Sequence, residues 1–325
     1  MATKIANTLG LDAAAENWFG YGDEARLAAC LEKAPRPWLP VGACSNLLFS
    51  KPVVEGSVFR CTDTSWEASY GSGYVRVRVG AGMRWDDFVK LCVDNGWYGA
   101  ENLSLIPGDV GAAAVQNIGA YGAEAGSLIS SVEVFDTAEM QPRVFFPDEC
   151  EYAYRSSVFK QSGKRWFVLK VVFKLSLTPA FSLDYGNLSS VIEGEPTLQK
   201  VRDAVIATRQ SKLPDPARIG SAGSFFMNPV VSGEQFATLR TRYPDMPGYP
   251  AADGSGVKLS AGWMIERCGG KELSVGDAGV YEKHALILVN RGHASASDFI
   301  SLSDEITARV EAAFAVRLRK EVEII

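Results

Sequence analysis

Between residues 103 and 126 the chain reads LSLIPGDVGAAAVQNIGAYGAEAG, and no other stretch limits the fold so strongly. Glycines and alanines recur so densely that their own side chains cannot fill the surrounding space. Something else must pack there. Glycine lets backbone N–H groups approach a ligand closely, and successive N–H groups form concavities that bind phosphate oxygens. A second segment, VGACSNLLFS at 41–50, has the same character: a strand, a small-residue turn containing Ser45 and Asn46, then an apolar run. Both segments are candidates to cradle a pyrophosphate; the competing reading is a pair of close-packed loops between strands.

Helical and strand signals alternate along the rest of the chain, without internal repeats. DEARLAACLEKA at 23–34 has helical spacing, and PRPWLPVGACSNLLFS at 35–50 is a strand running into a turn. VRVRVGAG from Val75 alternates as a half-exposed strand does, and MRWDDFVKLCVDNG has a helix's period and ends in Asn-Gly. SVEVFD and RWFVLKVVFKLSL are further strands, and LQKVRDAVIATRQSKLPDP is a helix stopped by two prolines. That helix marks a natural border. Beyond it come helices in SGEQFATLRTRY and SAGWMIERCG, a buried strand in HALILVN, a last helix from Ala296 to Phe314, and a terminal strand, KEVEII. The expected domains are 1–62 joined by the strand 320–325, then 63–208, then 209–319.

Composition excludes several function classes. With 47% hydrophobic and 22% charged residues and net charge −5, neither disorder nor a nucleic-acid partner is expected. No run approaches the roughly 18 apolar residues of a membrane span, and the start lacks a signal peptide's apolar core, so the expectation is a cytoplasmic protein with no membrane partner. Six cysteines form no CxxC pair and only two histidines occur, so no metal site is expected. Whatever chemistry occurs falls to Ser, Glu, Lys, Arg, Tyr or a borrowed cofactor. VRVRVGAGMRWDD runs strand, GxG, helix, but Trp85 replaces the third glycine of a Rossmann fingerprint.

GSAGSFFMNP at 220–229 places Ser224 between a glycine and two phenylalanines. Most serines beside glycine serve a turn. A hydroxyl pinned beside aromatic bulk also suits a site, and the residues alone leave both readings open.

Five ordered motifs carry a resemblance: GxxSNLL at 42–48, IPGDVGAAAVQNIGAYGAE at 106–124, YRSSVFK at 154–160, KLPDP with GSFFMNP at 212–229, and KLSAGW at 258–263. Together they make the chain similar to the MurB family of UDP-N-acetylenolpyruvoylglucosamine reductases from NTLG near the start to KEVEII at the end. DYGNLSSV at 184–191 resembles the loop of type I members. The resemblance implies a mixed α and β architecture: a vanillyl-alcohol-oxidase (PCMH) type FAD-binding fold in the first two domains and an α+β substrate-binding domain after them. It implies NADPH as reductant, UDP-N-acetylglucosamine enolpyruvate as substrate and UDP-N-acetylmuramate as product in peptidoglycan synthesis; a monomer is expected.

The family's roles fall on residues of this chain. Arg155 and Glu321 stabilise charge developing on the substrate, Glu321 only while it carries or shares a proton, and Ser224 donates the proton. The resemblance implies that FAD is held by Gly42, Cys44, Ser45, Asn46, Leu47, Pro107, Gly108, Gly111, Asn117, Gly119, Ala120 and Gly122, with Arg209 beside the flavin ring. It further implies that Tyr121, Tyr154, Tyr185, Lys212 and Asn228 bind substrate. Three departures stand out: Cys44 where glycine is usual, Met227 in place of the lysine of GSFFKNP, and Lys320 in place of a proline. The rival readings are an FAD-dependent oxidase or dehydrogenase of the same fold, and a flavin- or UDP-sugar-binding relative without turnover.

Overall fold

A computed structural model describes residues 2–184, 188–251 and 253–325. The chain divides into two compact units. One comprises Met1–Ile5, Ala14–Cys44 and Val53–Ser211, and the other Ala6–Ala13, Ser45–Pro52 and Lys212–Ile325. The border after Ser211 falls at the end of the helix Leu198–Lys212, where Pro214 follows.

In the first unit, strand Val53–Cys61 runs parallel to Ala14–Tyr21 on one side and to Trp38–Val41 on the other, and Thr3–Lys4 adds an antiparallel edge. A second sheet has five antiparallel strands in the order Gln141–Phe145, Ile129–Asp136, Trp166–Ser176, Tyr74–Gly80, Trp66–Gly71. The VRVRV alternation explains its two faces. Val75, Val77 and Val79 are wholly buried, worth about 1.5–3 kcal/mol each, while Arg78 reaches Glu133 and Glu67 on the other side. The helix Trp85–Asp94 buries Trp85, Phe88, Val89 and Cys92, the spacing of a single apolar stripe, and Phe88 stacks on Phe173 at 4.4 Å.

The alanine-rich part of 103–126 is a helix, Val110–Gln116, and not the loop that the sequence suggests. Side chains and backbone of the protein itself take up the space the small residues leave. A Cβ on Gly111 would stand 2.8 Å from Ala81 Cβ, and one on Gly42 3.0 Å from Ala112 Cβ. Asn117 ends the helix in the left-handed conformation. Two residues further, the strands Gly119–Ala120 and Ala123–Glu124 pair through a tight turn in which Tyr121 and Gly122 both have positive φ, as a two-residue hairpin requires.

In the second unit, strand His284–Asn290 pairs with Gly220–Ser224 on one side and Ala278–Tyr281 on the other, with Ser274–Val275 at the edge. The helix Ala296–Phe314 starts at a capping box between Ser295 and Asp298 and buries Phe299, Leu302, Ile306, Val310 and Phe314. Three short strands, Val230–Val231, Val257–Leu259 and Gly248–Pro250, form a separate sheet. The terminal strand Glu323–Ile324 runs parallel to Leu47–Leu48.

If Gly111 is there for packing, Gly111→Ala destabilises the protein even without cofactor. The gain in helix propensity, about 1 kcal/mol, is outweighed by an overpacking cost of about 1–3 kcal/mol. A lowered urea midpoint is expected; an unchanged or raised one contradicts the packing reading.

Candidate active site

Ser224 ends the strand Gly220–Ser224, and a bulge decides where its side chain points. The register slips between Ser221 and Ser224, and within the slip Gly223 has φ +71° with nothing within 4 Å of the place a Cβ would take. Glycine at a positive φ is what lets a strand bulge and re-aim its next side chain. The strand is then fixed again at once. Phe225 N–H donates to Leu286 O at 2.7 Å, and Phe225 and Phe226 are fully buried with rings 5.5 Å apart. Ser224 itself is half-buried.

Glu321 is set beside this segment by main-chain bonds. Its N–H donates to Phe225 O at 2.8 Å, Met227 N–H donates to Arg319 O at 2.9 Å, and Asn46 Nδ2 donates to Glu321 O at 3.1 Å. Ser224 and Glu321, nearly a hundred residues apart, thus flank one hydrogen bond. Lys320 ion-pairs with Asp304 of the helix Ala296–Phe314 at 2.7 Å, which anchors the chain just before the terminal strand. Asn228 Oδ1 accepts from Ala261 N–H at 3.0 Å, which ties GSFFMNP to KLSAGW. Leu47 pairs with Glu323, and Ser45 O accepts from Thr8 Oγ1 at 3.4 Å. Lys212 is exposed, and burial together with Lys212 and Lys271 pushes His284 below its ordinary value against the opposing pull of Glu266.

Arg155 in the first unit has φ +56°, a left-handed conformation uncommon for any residue with a Cβ, and such strain concentrates at functional sites. Its Nη2 donates to Gly119 O at 2.6 Å, and its guanidinium lies 5.1 Å over the Tyr154 ring. A Cβ on Gly119 would meet Arg155 Nη1 at 2.9 Å, so that glycine makes room for the arginine. Left-handed backbone recurs at Cys44, Leu105, Asn117 and Tyr121, all within or next to the two glycine-rich segments.

The residues expected to hold a cofactor divide by what they already do. Gly111 N–H donates to Ala81 O and Val110 N–H to Met83 O, so these two amides are not free to hold a phosphate. Asn117 is spent in the same way: Nδ2 donates to Glu124 Oε2 and Ala153 O, and Oδ1 accepts from Gly126 N–H. Gly108 O accepts from Trp85 N–H, which holds the turn containing Pro107. Tyr121 O accepts from Asn102 Nδ2 at 2.8 Å, fixing the hairpin that carries Ala120 and Gly122. Tyr185 lies outside the described residues.

Arg209 behaves differently, since its Nε is buried without a hydrogen-bond partner. Burial pushes this guanidinium below its ordinary value, while Tyr121 and Asp86 act the other way. The sequence does not reveal its support. Asp86 grips Arg202 with two bonds of 2.8 Å and accepts from Leu105 N–H, so that these bonds and Arg209 hold its carboxyl below the usual range in spite of burial.

Comparison with known proteins decides between the readings. A family model described as FAD binding domain matches residues 22–139, and one described as UDP-N-acetylenolpyruvoylglucosamine reductase, C-terminal domain, matches 215–325. A UDP-N-acetylenolpyruvoylglucosamine reductase of Bacteroides fragilis is 46% identical over 98% of this chain and 97% of its own length. The chain belongs to the UDP-N-acetylenolpyruvoylglucosamine reductase family. A relative from Porphyromonas gingivalis is 52% identical over 77% of this chain and 75% of its own. The crystal structure of the reductase from Thermus caldophilus superposes with a TM-score of 0.69 at 25% identity, covering 100% of this chain and 98% of that one. The FAD-binding fold implied by the motifs is therefore the fold of this chain. Among the described residues no helix is long and apolar enough to cross a membrane. The unpartnered Nε of Arg209 and the left-handed turns fit a flavin nucleotide.

Cys44 is 4% exposed and has φ +52°. Burial pushes its thiol up to about 12, with Asp109 adding to the rise and Arg60 opposing it. A thiolate is the reactive form. Cys44 is therefore expected to resist iodoacetamide at pH 8 in the native protein and to react once denatured; native labelling comparable to that of free cysteine contradicts this environment.

Proposed function

We propose that this chain reduces the enolpyruvyl ether of UDP-N-acetylglucosamine enolpyruvate to UDP-N-acetylmuramate, with Arg155, Ser224 and Glu321 as the residues that act on the substrate. Family membership over nearly the whole chain supports the reaction, and the setting of Ser224 beside Glu321 supports the assignment of roles. FAD, when bound and reduced by NADPH, would supply the hydride for the methylene carbon of the enol ether.

The rest falls to the protein. As the methylene carbon gains hydride, negative charge develops on the neighbouring carbon and spreads into its carboxylate. Preorganised donors aimed at that charge lower the barrier. Arg155 has a planar fork suited to a carboxylate, and its bond to Gly119 O fixes the orientation of that fork. Glu321, held beside Phe225 by its main-chain bond, is the third residue that acts on the substrate there. Ser224 gives its proton to the carbanionic carbon. Serine is a feeble acid, but a carbanion is basic enough to take the proton when the hydroxyl is held in place, and the bulge at Gly223 with the buried Phe225 and Phe226 does the holding.

The softer assignments follow the same logic. Tyr121, Tyr154, Tyr185, Lys212 and Asn228 bind the nucleotide sugar. Gly42, Cys44, Ser45, Asn46, Leu47, Pro107, Gly108, Gly119, Ala120 and Gly122 line the flavin, and Arg209 provides a cation beside the ring, where charge tunes a flavin. The protein acts as a cytoplasmic monomer that supplies a peptidoglycan precursor.

Resolving the two half-reactions tests the role of Ser224. Ser224→Ala is expected to leave flavin reduction by NADPH nearly untouched and to slow reoxidation by the enolpyruvyl substrate by about 10²–10⁴-fold, the range for loss of a general acid. Equal loss in both half-reactions would sink the assignment.

A further inference from the structure

Asp109 has no part in the roles above, and its surroundings are unusual. It precedes the helix Val110–Gln116 in an N-cap conformation, yet its side chain makes no cap hydrogen bond. The carboxyl turns instead into the protein, where the residue is 2% exposed. Oδ2 accepts from Arg60 Nη2 at 3.2 Å, while Oδ1, buried as well, has no hydrogen-bond partner. Leaving such an atom unsatisfied is costly, and on a charged carboxyl it calls for an explanation.

Three parts of the first unit meet at this carboxyl. Arg60 comes from the strand Val53–Cys61, and Asp109 itself stands at the head of the alanine-rich helix. The turn holding Gly42 and Cys44 closes over it, since a Cβ on Gly42 would stand 3.4 Å from Oδ2. An ionised carboxylate only accepts hydrogen bonds. Phosphate oxygens at neutral pH cannot donate to it, whereas the ribityl and ribose hydroxyls of a flavin nucleotide can.

We propose that Oδ1 of Asp109 recognises the cofactor by accepting a hydrogen bond from a hydroxyl of the flavin nucleotide, with Arg60 as the counter-ion of the carboxylate. The inference rests on the FAD reading of the two glycine-rich segments and adds to it a residue that is not glycine.

A pH dependence follows. Burial pushes Asp109 above the usual carboxylate range, against Arg60 and, more weakly, Arg84; these two cations and the Cys44 thiol are the titratable groups that face it. A donor at Oδ1 favours the charged form, so cofactor binding lowers the raised value and releases a proton. Affinity for FAD therefore rises with pH until the carboxyl of the flavin-free protein is fully ionised.

The test is FAD affinity of the flavin-stripped protein, read by flavin fluorescence across mildly acidic to neutral pH, with thermal unfolding of each variant alongside. Asp109→Ala is expected to weaken FAD binding by about 10–100-fold, as for a lost hydrogen bond to a charged group. Asp109→Asn keeps an acceptor oxygen, so it loses less and abolishes the pH dependence. An equal loss for FMN assigns the ribityl hydroxyl, and a loss confined to FAD assigns the adenosine ribose. Variants that melt lower but bind FAD as the unaltered protein does, with the same pH dependence, overturn the proposal and leave Asp109 a structural residue. If the unaltered protein itself fails to bind FAD, the reading of the glycine-rich segments falls, and the proposal with it.

Discussion

The last seven residues hold a strand end and a turn of the second unit in register. Main-chain bonds join Glu321 N–H to Phe225 O and Met227 N–H to Arg319 O, while Glu323 N–H donates to Asn46 O and Ile325 N–H to Leu48 O. The terminal segment is therefore gripped on both sides, by the strand end that carries Ser224 and by the turn that carries Asn46. Each bond adds only about 0.5–1.5 kcal/mol, but together they leave Glu321 little freedom. The two buried phenylalanines complete the fixing, since neither ring can leave the core without a cost of about 3–5 kcal/mol. A weak acid such as serine is useful only where placement is this tight.

In the first unit, carboxylates perform the corresponding task. Asp86 ties the helix Leu198–Lys212, through Arg202, to the left-handed turn at Leu105, and Asp109 ties Arg60 to the alanine-rich helix. The shared result is that loops of unfavourable backbone conformation are held by charge pairs buried on at least one side. Such pairs break at a high cost when one partner is lost, because the other is left charged and dry. Arg209 and Asp109 are among the described residues that retain a buried polar atom without a partner, and of these they are the two charged side chains.

Much of this was legible in the chain, and what was not has a physical reason. The alternation at Val75–Val79 and the apolar stripe of Ala296–Phe314 announced a strand and a helix because burial on one face leaves a period in the sequence. Ser224 drew notice through its neighbours. The helix Val110–Gln116 stayed hidden because alanine, glycine and valine pack closely on nearly every side, so it has no polar face and no period. Asp86 with Arg202, and Arg60 with Asp109, were equally invisible, being 116 and 49 residues apart. Asn117 and Gly111 looked like ligand contacts, but their polar groups are spent on the protein, the motif recording a packing need as much as a binding one.

If this chain is the reductase proposed above, bound FAD would accept hydride from NADPH and the enol ether would reoxidise it, with Arg155, Ser224 and Glu321 acting on the substrate. An anaerobic absorbance experiment on the purified protein tests this most directly, with NADPH added first and UDP-N-acetylglucosamine enolpyruvate second. The visible flavin band is expected to bleach with NADPH and to return only when the enolpyruvyl compound arrives. A protein that stays colourless with added FAD, or a bleached flavin that the enolpyruvyl compound fails to reoxidise, would contradict it.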